Sequence, residues 1–158
     1  MTANFDGFCK AEYASVYRAA FAFTGDKDAA LDATQEAFSR AFARWARLSR
    51  EPWAGGWVMT TALNLCRGSW SRGGAVGGFD KAGPDAVDPD LHVDLESALR
   101  TLPLRQRQAL LLHYLADLPV AAVADLTGAS EGTVKTHLSR GRQSLSRLLA
   151  PSEGESRL

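Results

Sequence analysis

The chain has little of what most chemistry-bearing sites need. Two of its 158 residues are cysteine and three are histidine. Cys9 and Cys66 lie far apart and belong to no paired motif, and His92, His113 and His137 have no ligand-like spacing with either. No metal or cofactor is therefore assigned. Cys9 falls on an apolar helical face, where a buried, reduced thiol is expected. No apolar run approaches the roughly 20 residues of a membrane-spanning helix. The opening MTANFDGFCK lacks the basic start and apolar core of a secretory signal, so a cytoplasmic protein with no membrane insertion is expected. No nucleophile–base pair, carboxylate pair or phosphate-cradling loop is evident, and the chain is not expected to be an enzyme. Net charge is also lacking, because 18 Lys and Arg balance 18 Asp and Glu.

What is present is ordinary in amount and uneven in placement. A hydrophobic share of 46% and a charged share of 23% suit a globular chain. From 95 to 150, seven basic residues face four acidic ones, a surplus of three. From 73 to 94, Lys81 stands alone against Asp80, Asp85, Asp88, Asp90 and Asp94, a deficit of four. That second stretch, GGAVGGFDKAGPDAVDPDLHVD, is too poor in apolar residues to bury a core and reads as a flexible acidic linker. It divides the chain into two small helical domains, residues 1–72 and 95–150. A tail at 151–158 is expected to be disordered.

The strongest local pattern runs from Leu118 to Leu149. Pro119 suits a first helical turn, Val120, Val123, Ala124 and Leu126 form an apolar side, and Gly128 ends the helix. Ser130 is placed to cap a second helix. There Val134, Leu138, Gly141, Leu145 and Leu148 repeat at helical spacing, and Gly141 suggests a close helix crossing. The opposite face carries Gly132, Lys135, Thr136, Ser139, Arg140 and Gln143, with two cations and no acid. A short helix, a Gly-containing turn and a helix with a small, polar, basic face form the helix-turn-helix pattern. The same spacing also fits a plain solvated hairpin, although such helices usually mix in Glu and Asp. Before it, a fourth helix is expected over about Leu95 to Thr101. A fifth runs from beyond Pro103 to about Ala116, apolar nearly all round and therefore central.

In the N-terminal half, Phe5, Phe8, Cys9, Glu12, Tyr13, Val16, Tyr17, Ala20 and Phe21 mark one face of a first helix that Gly25 ends. Asp26 can cap a second helix to about Leu48. Ala30, Ala37, Phe38, Ala41, Phe42 and Trp45 are its expected buried side, and Asp32, Gln35, Glu36, Ser39 and Arg40 its wet side. That wet side is either solvated or a partner surface. SREPWAGG, 49 to 56, is a break. A third helix from about Trp57 to Trp70 turns Trp57, Val58, Ala62 and Leu65 inward and Thr60, Asn64, Arg67 and Ser71 outward. Arg47, Arg50 and Trp53 precede it. Rings beside cations and amides suit single-stranded nucleic acid, where bases stack and cations hold phosphates; equally, the tryptophans can belong to the core.

In combination these pieces resemble a bacterial RNA polymerase sigma factor of the small extracytoplasmic-function type (sigma-70 family, group 4), over nearly the whole chain. The N-terminal half carries Gly25-Asp26, then Ala30-x-Asp32-x-x-Gln35-x-x-Phe38, then Trp57-Val58 with Asn64 one helical face later. The C-terminal half carries Leu102-Pro103 with Arg107, then Gly128-x-Ser130-x-Gly132-Thr133-Val134-Lys135 and Arg140-x-Arg142. The resemblance implies an all-α fold, with a region 2-like three-helix bundle linked to a region 4-like helix-turn-helix domain. It implies a promoter-specificity subunit whose partners are core RNA polymerase, promoter DNA and, in some members, an anti-sigma factor.

By the same resemblance, Asp32, Gln35, Glu36 and Arg40 would dock on the coiled coil of the polymerase's largest subunit. Arg47, Arg50, Trp53, Asn64 and Arg67 would hold the −10 element as it melts, at a cost of a few kcal/mol for unstacking a base. The linker would thread toward the RNA exit path. Thr133, Lys135, Thr136, Ser139, Arg140 and Gln143 would read or hold the −35 element in the major groove. Arg142, on the edge of that face, would contact phosphate or pair within the protein. Thr60 stands where relatives often carry a basic residue, the run from Gly68 to Arg72 is poorer in cations than in many relatives, and Ser139 is smaller than in some. A duplex-binding repressor would need neither the Gln35 face nor the Asn64 stripe. A decoy that captures an anti-sigma protein would need only the helical surfaces.

Overall fold

The computed structural model describes residues 3–69 and 95–150. Among these, every regular element is an α-helix: α1 (Ala3–Thr24), α2 (Lys27–Ala43), α3 (Trp45–Leu48), α4 (Ala54–Ser69), α5 (Leu95–Leu99), α6 (Leu104–Tyr114), α7 (Val120–Thr127) and α8 (Glu131–Leu149). The expected linker, Trp70, Ser71 and the tail lie outside the described residues.

In the first half, α1, α2 and α4 pack on one another. Small side chains let the axes approach: Ala19, Ala20, Ala30, Ala37, Ala41 and Ala62 are all fully buried. Gly25, at φ +73°, ends α1, and the Asp26 carboxylate accepts the N–H groups of Asp28 and Ala29 to start α2. The helix expected to continue to Leu48 instead breaks at Arg44 (φ −111°, ψ 14°). The break lets α3 turn Trp45 into the core, with its ring 4.8 Å from Phe8 and 5.1 Å from Phe5. Phe42, expected to be buried, is 60% exposed, with its ring 5.1 Å from Phe5 at the edge of this cluster. The expected break at 49–56 is shorter, because α4 already begins at Ala54.

In the second half, α6 is buried from Arg107 through Leu112 without interruption, which makes it the central helix. Pro119 stands just outside α7 as its cap residue rather than within the first turn. Gly128, at φ +75°, ends α7, and the Ser130 hydroxyl accepts the Thr133 N–H at 3.0 Å to start α8. Helix α8 crosses α6 at Gly141, where a Cβ would lie 2.7 Å from Leu110 Cδ1.

The two halves are packed together. Helix α4 meets α6 and α7, and α1 meets α5 and α6, so one apolar cluster runs through both. Gly56 accepts Leu118 so closely that a Cβ there would lie 2.8 Å from its Cδ1. Arg107, 1% exposed, donates to the carbonyls of Arg100 and Leu102 within its own half and to the Phe23 carbonyl across the boundary.

Candidate nucleic-acid interface

Helix α8 buries Val134, Leu138 and Gly141 and thereby turns the opposite side outward. Lys135, Thr136, Ser139, Arg140 and Gln143 are exposed and line a single groove. The helical period that buries one stripe presents the other, so the sequence pattern and the groove coincide. Thr133 lies at the helix start, bonded through its hydroxyl to Ser130 at 2.9 Å. Arg142 donates to the Tyr114 hydroxyl at 3.0 Å, so of the two roles open to it the free chain adopts pairing within the protein. His137, between the two faces, is held below the ordinary imidazole range by burial and then by Arg105 and Arg140.

A second concave surface lies where α2, α3 and α4 meet. One cavity, about 340 Å³, is lined by Arg44, Arg47, Leu48, Glu51, Trp53, Trp57 and Leu126. Its neighbour is lined by Arg40, Arg44, Trp57, Thr61, Asn64, Leu65 and Gly68. The Arg44 guanidinium lies 5.7 Å over the Trp57 ring, at the junction of the two. Arg47, Trp53 and Asn64 thus share one cation-and-aromatic surface, whereas Arg50 is exposed but lines neither cavity. Trp57, expected inside, is only partly buried and forms a wall. Thr60, expected on the outer stripe, is buried with its hydroxyl donating to the Gly56 carbonyl at 2.7 Å. The second half covers that side of α4, and Thr61 takes the place at the groove.

Asn64 and Arg67 meet a residue that the sequence pattern hid. Gln108 of α6, 3% exposed, donates from Nε2 to Asn64 Oδ1 at 2.8 Å. Its Oε1 accepts from Arg67 Nη1 at 3.3 Å. Burial, and then Arg105, hold the Arg67 guanidinium below its usual range. Gln108 closes the polar run Arg105-Gln106-Arg107-Gln108 just before the apolar stretch, where one amide among four polar residues carries no periodic signal. Arg44 was equally silent, since the reading of one long helix gave it no special place.

On α2, Asp32, Gln35, Glu36, Ser39 and Arg40 are all exposed, as the helical spacing predicts. Glu36 and Arg40 form an exposed i,i+4 ion pair at 2.9 Å. Leu31, 40% exposed, and Phe42 add apolar area to the same helix. Arg40 also lines the second cavity, so it stands on the border of two surfaces.

A helix-turn-helix with an acid-free polar face, in one chain with a cation-and-aromatic groove, fits the class of helical DNA-binding proteins. Residues 9–75 match the family description "Sigma-70 region 2", and residues 92–145 match "Sigma-70, region 4". The chain is 31% identical to the ECF RNA polymerase sigma factor SigC of Mycobacterium tuberculosis, over 89% of this chain and 80% of that protein. It is 29% identical to the ECF RNA polymerase sigma factor SigE of Mycolicibacterium smegmatis, covering 89% of this chain but only 59% of that longer protein. In fold it is similar to the sigma factor RpoE, solved with the anti-sigma factor NepR from Bartonella quintana. The TM-score there is 0.73 at 22% identity, over 92% of this chain and 96% of that one. The chain belongs to the extracytoplasmic-function group of the sigma-70 family, whose members serve promoter-specific transcription initiation by RNA polymerase in a non-catalytic role. Among the described residues no helix is long and apolar enough to cross a membrane.

Proposed function

We propose that this chain is a promoter-specificity subunit that binds core RNA polymerase in the cytoplasm, recognises the −35 and −10 promoter elements and promotes DNA melting, the −10 element included, for transcription initiation. Helix α8 enters the major groove of the −35 element, with Lys135, Thr136, Ser139, Arg140 and Gln143 facing bases or phosphates and Thr133 at the helix start near phosphate. Arg142 leaves Tyr114 to join them when DNA arrives. The α2–α4 groove takes the separated −10 strand. Trp53 and Trp57 offer rings for stacking, and Arg44, Arg47, Arg50 and Arg67 offer charge. Asn64 offers an amide for a base edge. The exposed face of Asp32, Gln35, Glu36 and Arg40 docks on polymerase. Residues 1–72 and 95–150 act as the two functional units, with 73–94 as their tether. RpoE's capture by NepR makes an anti-sigma factor a further partner class to test for this chain.

One observation carries the reading. A single chain bears two chemically different grooves: an acid-free one on one helix, suited to a duplex, and one mixing tryptophan and arginine, suited to separated strands. A stand-alone duplex binder needs only the first. Run-off transcription with bacterial core polymerase, this chain and a pool of promoter fragments tests it. Defined transcripts that require the chain are expected. No transcript and no co-purification with core enzyme, with tight binding to duplex by the chain alone, would reject it.

A further inference from the structure

The contact at Gln108 has the form of base recognition. Arginine only donates, so Gln108 Oε1 must face Arg67, which leaves Nε2 to face Asn64 Oδ1. The two α4 residues thus hold an edge that shows one donor beside one acceptor. A carboxamide shows that pair, and so does the Watson–Crick edge of an unpaired base. The same equivalence lets Asn and Gln pair with adenine in duplex readers. Two further contacts bring the second half onto the same groove. Leu126 of α7 walls the Trp53–Trp57 cavity, and Leu118 seats on Gly56, two helical turns before Asn64 on the same face of α4.

We propose that Gln108 occupies, in the free chain, the place of an extruded promoter base on Asn64 and Arg67, so that the packed arrangement of the two halves competes with single-stranded DNA. The proposal rests on the −10 reading above and deepens it: the ligand of the Asn64–Arg67 pair is a base edge, and α6 carries its substitute. In the packed state Arg105 lies near enough to Arg67 to add to the effect of burial in lowering its pKa. A strand that arrives brings phosphates to those cations as well as a base to Asn64. The chain therefore guards its melting surface until a strand or the polymerase separates the halves.

The test is fluorescence anisotropy of the full chain with a fluorescein-labelled single-stranded DNA of random sequence and with an abasic strand of equal length. Gln108→Ala removes the substitute and is expected to tighten binding of the base-bearing strand about three- to tenfold, as when a site occupied most of the time is freed. Gln108→Glu keeps the size, makes the bond to Arg67 charge-assisted and accepts from Asn64 once that amide turns its N–H group inward, so it is expected to weaken strand binding. Opposite signs cannot come from misfolding, which would move both variants the same way. In an Asn64→Ala background the gain from Gln108→Ala should vanish, and the abasic strand should show little gain. The proposal is overturned if both variants shift binding in one direction, if neither shifts it while circular dichroism stays native, or if the abasic strand gains as much as the base-bearing one. Run-off transcription separates the two levels. Normal transcription by the wild-type chain with no effect of the Gln108 variants removes the clasp alone. The expected strand-binding changes without any core-dependent transcription keep the clasp and remove the promoter reading.

Discussion

The Arg107 guanidinium lies 5.0 Å over the Phe23 ring and donates to the Phe23 carbonyl at 2.6 Å. That carbonyl belongs to the last turn of α1, where helix carbonyls lack intrahelical partners and the helix dipole favours a cation. Two further carbonyls, of Arg100 and Leu102, share the same guanidinium. Burial, and then the nearby Arg100, push its pKa down to about 10, still far enough above neutrality to keep the charge. Arg107→Met should therefore cost about 3 kcal/mol or more, because three buried carbonyls lose their donors at roughly 1–3 kcal/mol each. Urea unfolding followed by far-UV circular dichroism checks it. Arg107→Lys should recover little, since one ammonium cannot reproduce a planar fork serving three acceptors. A loss below about 0.5 kcal/mol, the usual scale of an inert surface change, would show that the guanidinium joins nothing.

Gly141 sets the angle at which α8 leaves the core. An added Cβ would lie 2.7 Å from Leu110 Cδ1 and 3.2 Å from its Cγ, and Leu110 is itself buried. Gly141→Ala gains up to about 1 kcal/mol of helix propensity, which offsets part of an overpacking cost of about 1–3 kcal/mol. Gly141→Val gains less and displaces more, so it should be the more destabilising of the two, by about 2 kcal/mol relative to wild type. Leu110→Ala in the Gly141→Val background should return part of that loss. Thermal unfolding of the four chains measures both effects.

Much of this was legible from spacing. The α8 face was, because Val134, Leu138 and Gly141 announce the buried stripe and so fix the opposite one. The caps at Asp26 and Ser130 and the stops at Gly25 and Gly128 were legible for local reasons, since side-chain oxygens and positive φ act within a few residues. Other features depend on partners distant in sequence. Thr60 looks like a polar outer residue until Leu118 and the rest of the second half cover that side of α4. Phe42 looks like a core residue until the break at Arg44 gives its place to Trp45. Gln108 is one of four consecutive polar residues, and its meaning depends on Asn64 and Arg67, more than forty positions earlier in the chain. Periodicity reports which way a residue faces on its own helix and is silent about what arrives opposite.

The two thiols should differ in reactivity. Cys66 is buried, and its pKa is pushed up to about 12 by burial and then by Asp26. Cys9 is only partly buried, and its thiol is raised by burial and then by Asp6. The thiolate is the nucleophile, so a disulfide reagent at pH 8 should label one thiol readily in the native chain and both in denaturant. Cys9→Ser should abolish the native reaction. Rapid native labelling of Cys66 would mean that α4 opens locally.

Helix α2 offers the cleanest separation of polymerase capture from DNA binding. Gln35 is exposed and lines neither cavity, and Glu36 carries the ion pair to Arg40. An exposed i,i+4 pair contributes only about 0.3–0.5 kcal/mol, so Gln35→Ala with Glu36→Lys should leave the melting temperature nearly unchanged. Co-purification with core polymerase should fall sharply, while single-strand binding by the free chain should not fall, since the change removes an acid and releases Arg40 at the second cavity. Unchanged co-purification would move the docking surface elsewhere, with exposed Leu31 and Phe42 the next residues to substitute.

The α8 groove should show its role through salt. Lys135 and Arg140 are both exposed and line the outer groove, so Lys135→Ala with Arg140→Ala should leave the fold intact. If both cations hold phosphates, each releases about one counterion on binding. The slope of log K against log salt for a −35-containing duplex should then become shallower by about two in the double variant. If instead one of them pairs with guanine, that variant should lose about 1–3 kcal/mol on its preferred sequence and much less on others. Single substitutions on matched and scrambled duplexes, titrated at several salt concentrations, distinguish the two roles. In either case −35-dependent transcription falls while co-purification with core enzyme persists. Equal loss of both would mean that α8 no longer folds onto α6, and that its exposed face never had the independence its burial pattern implies.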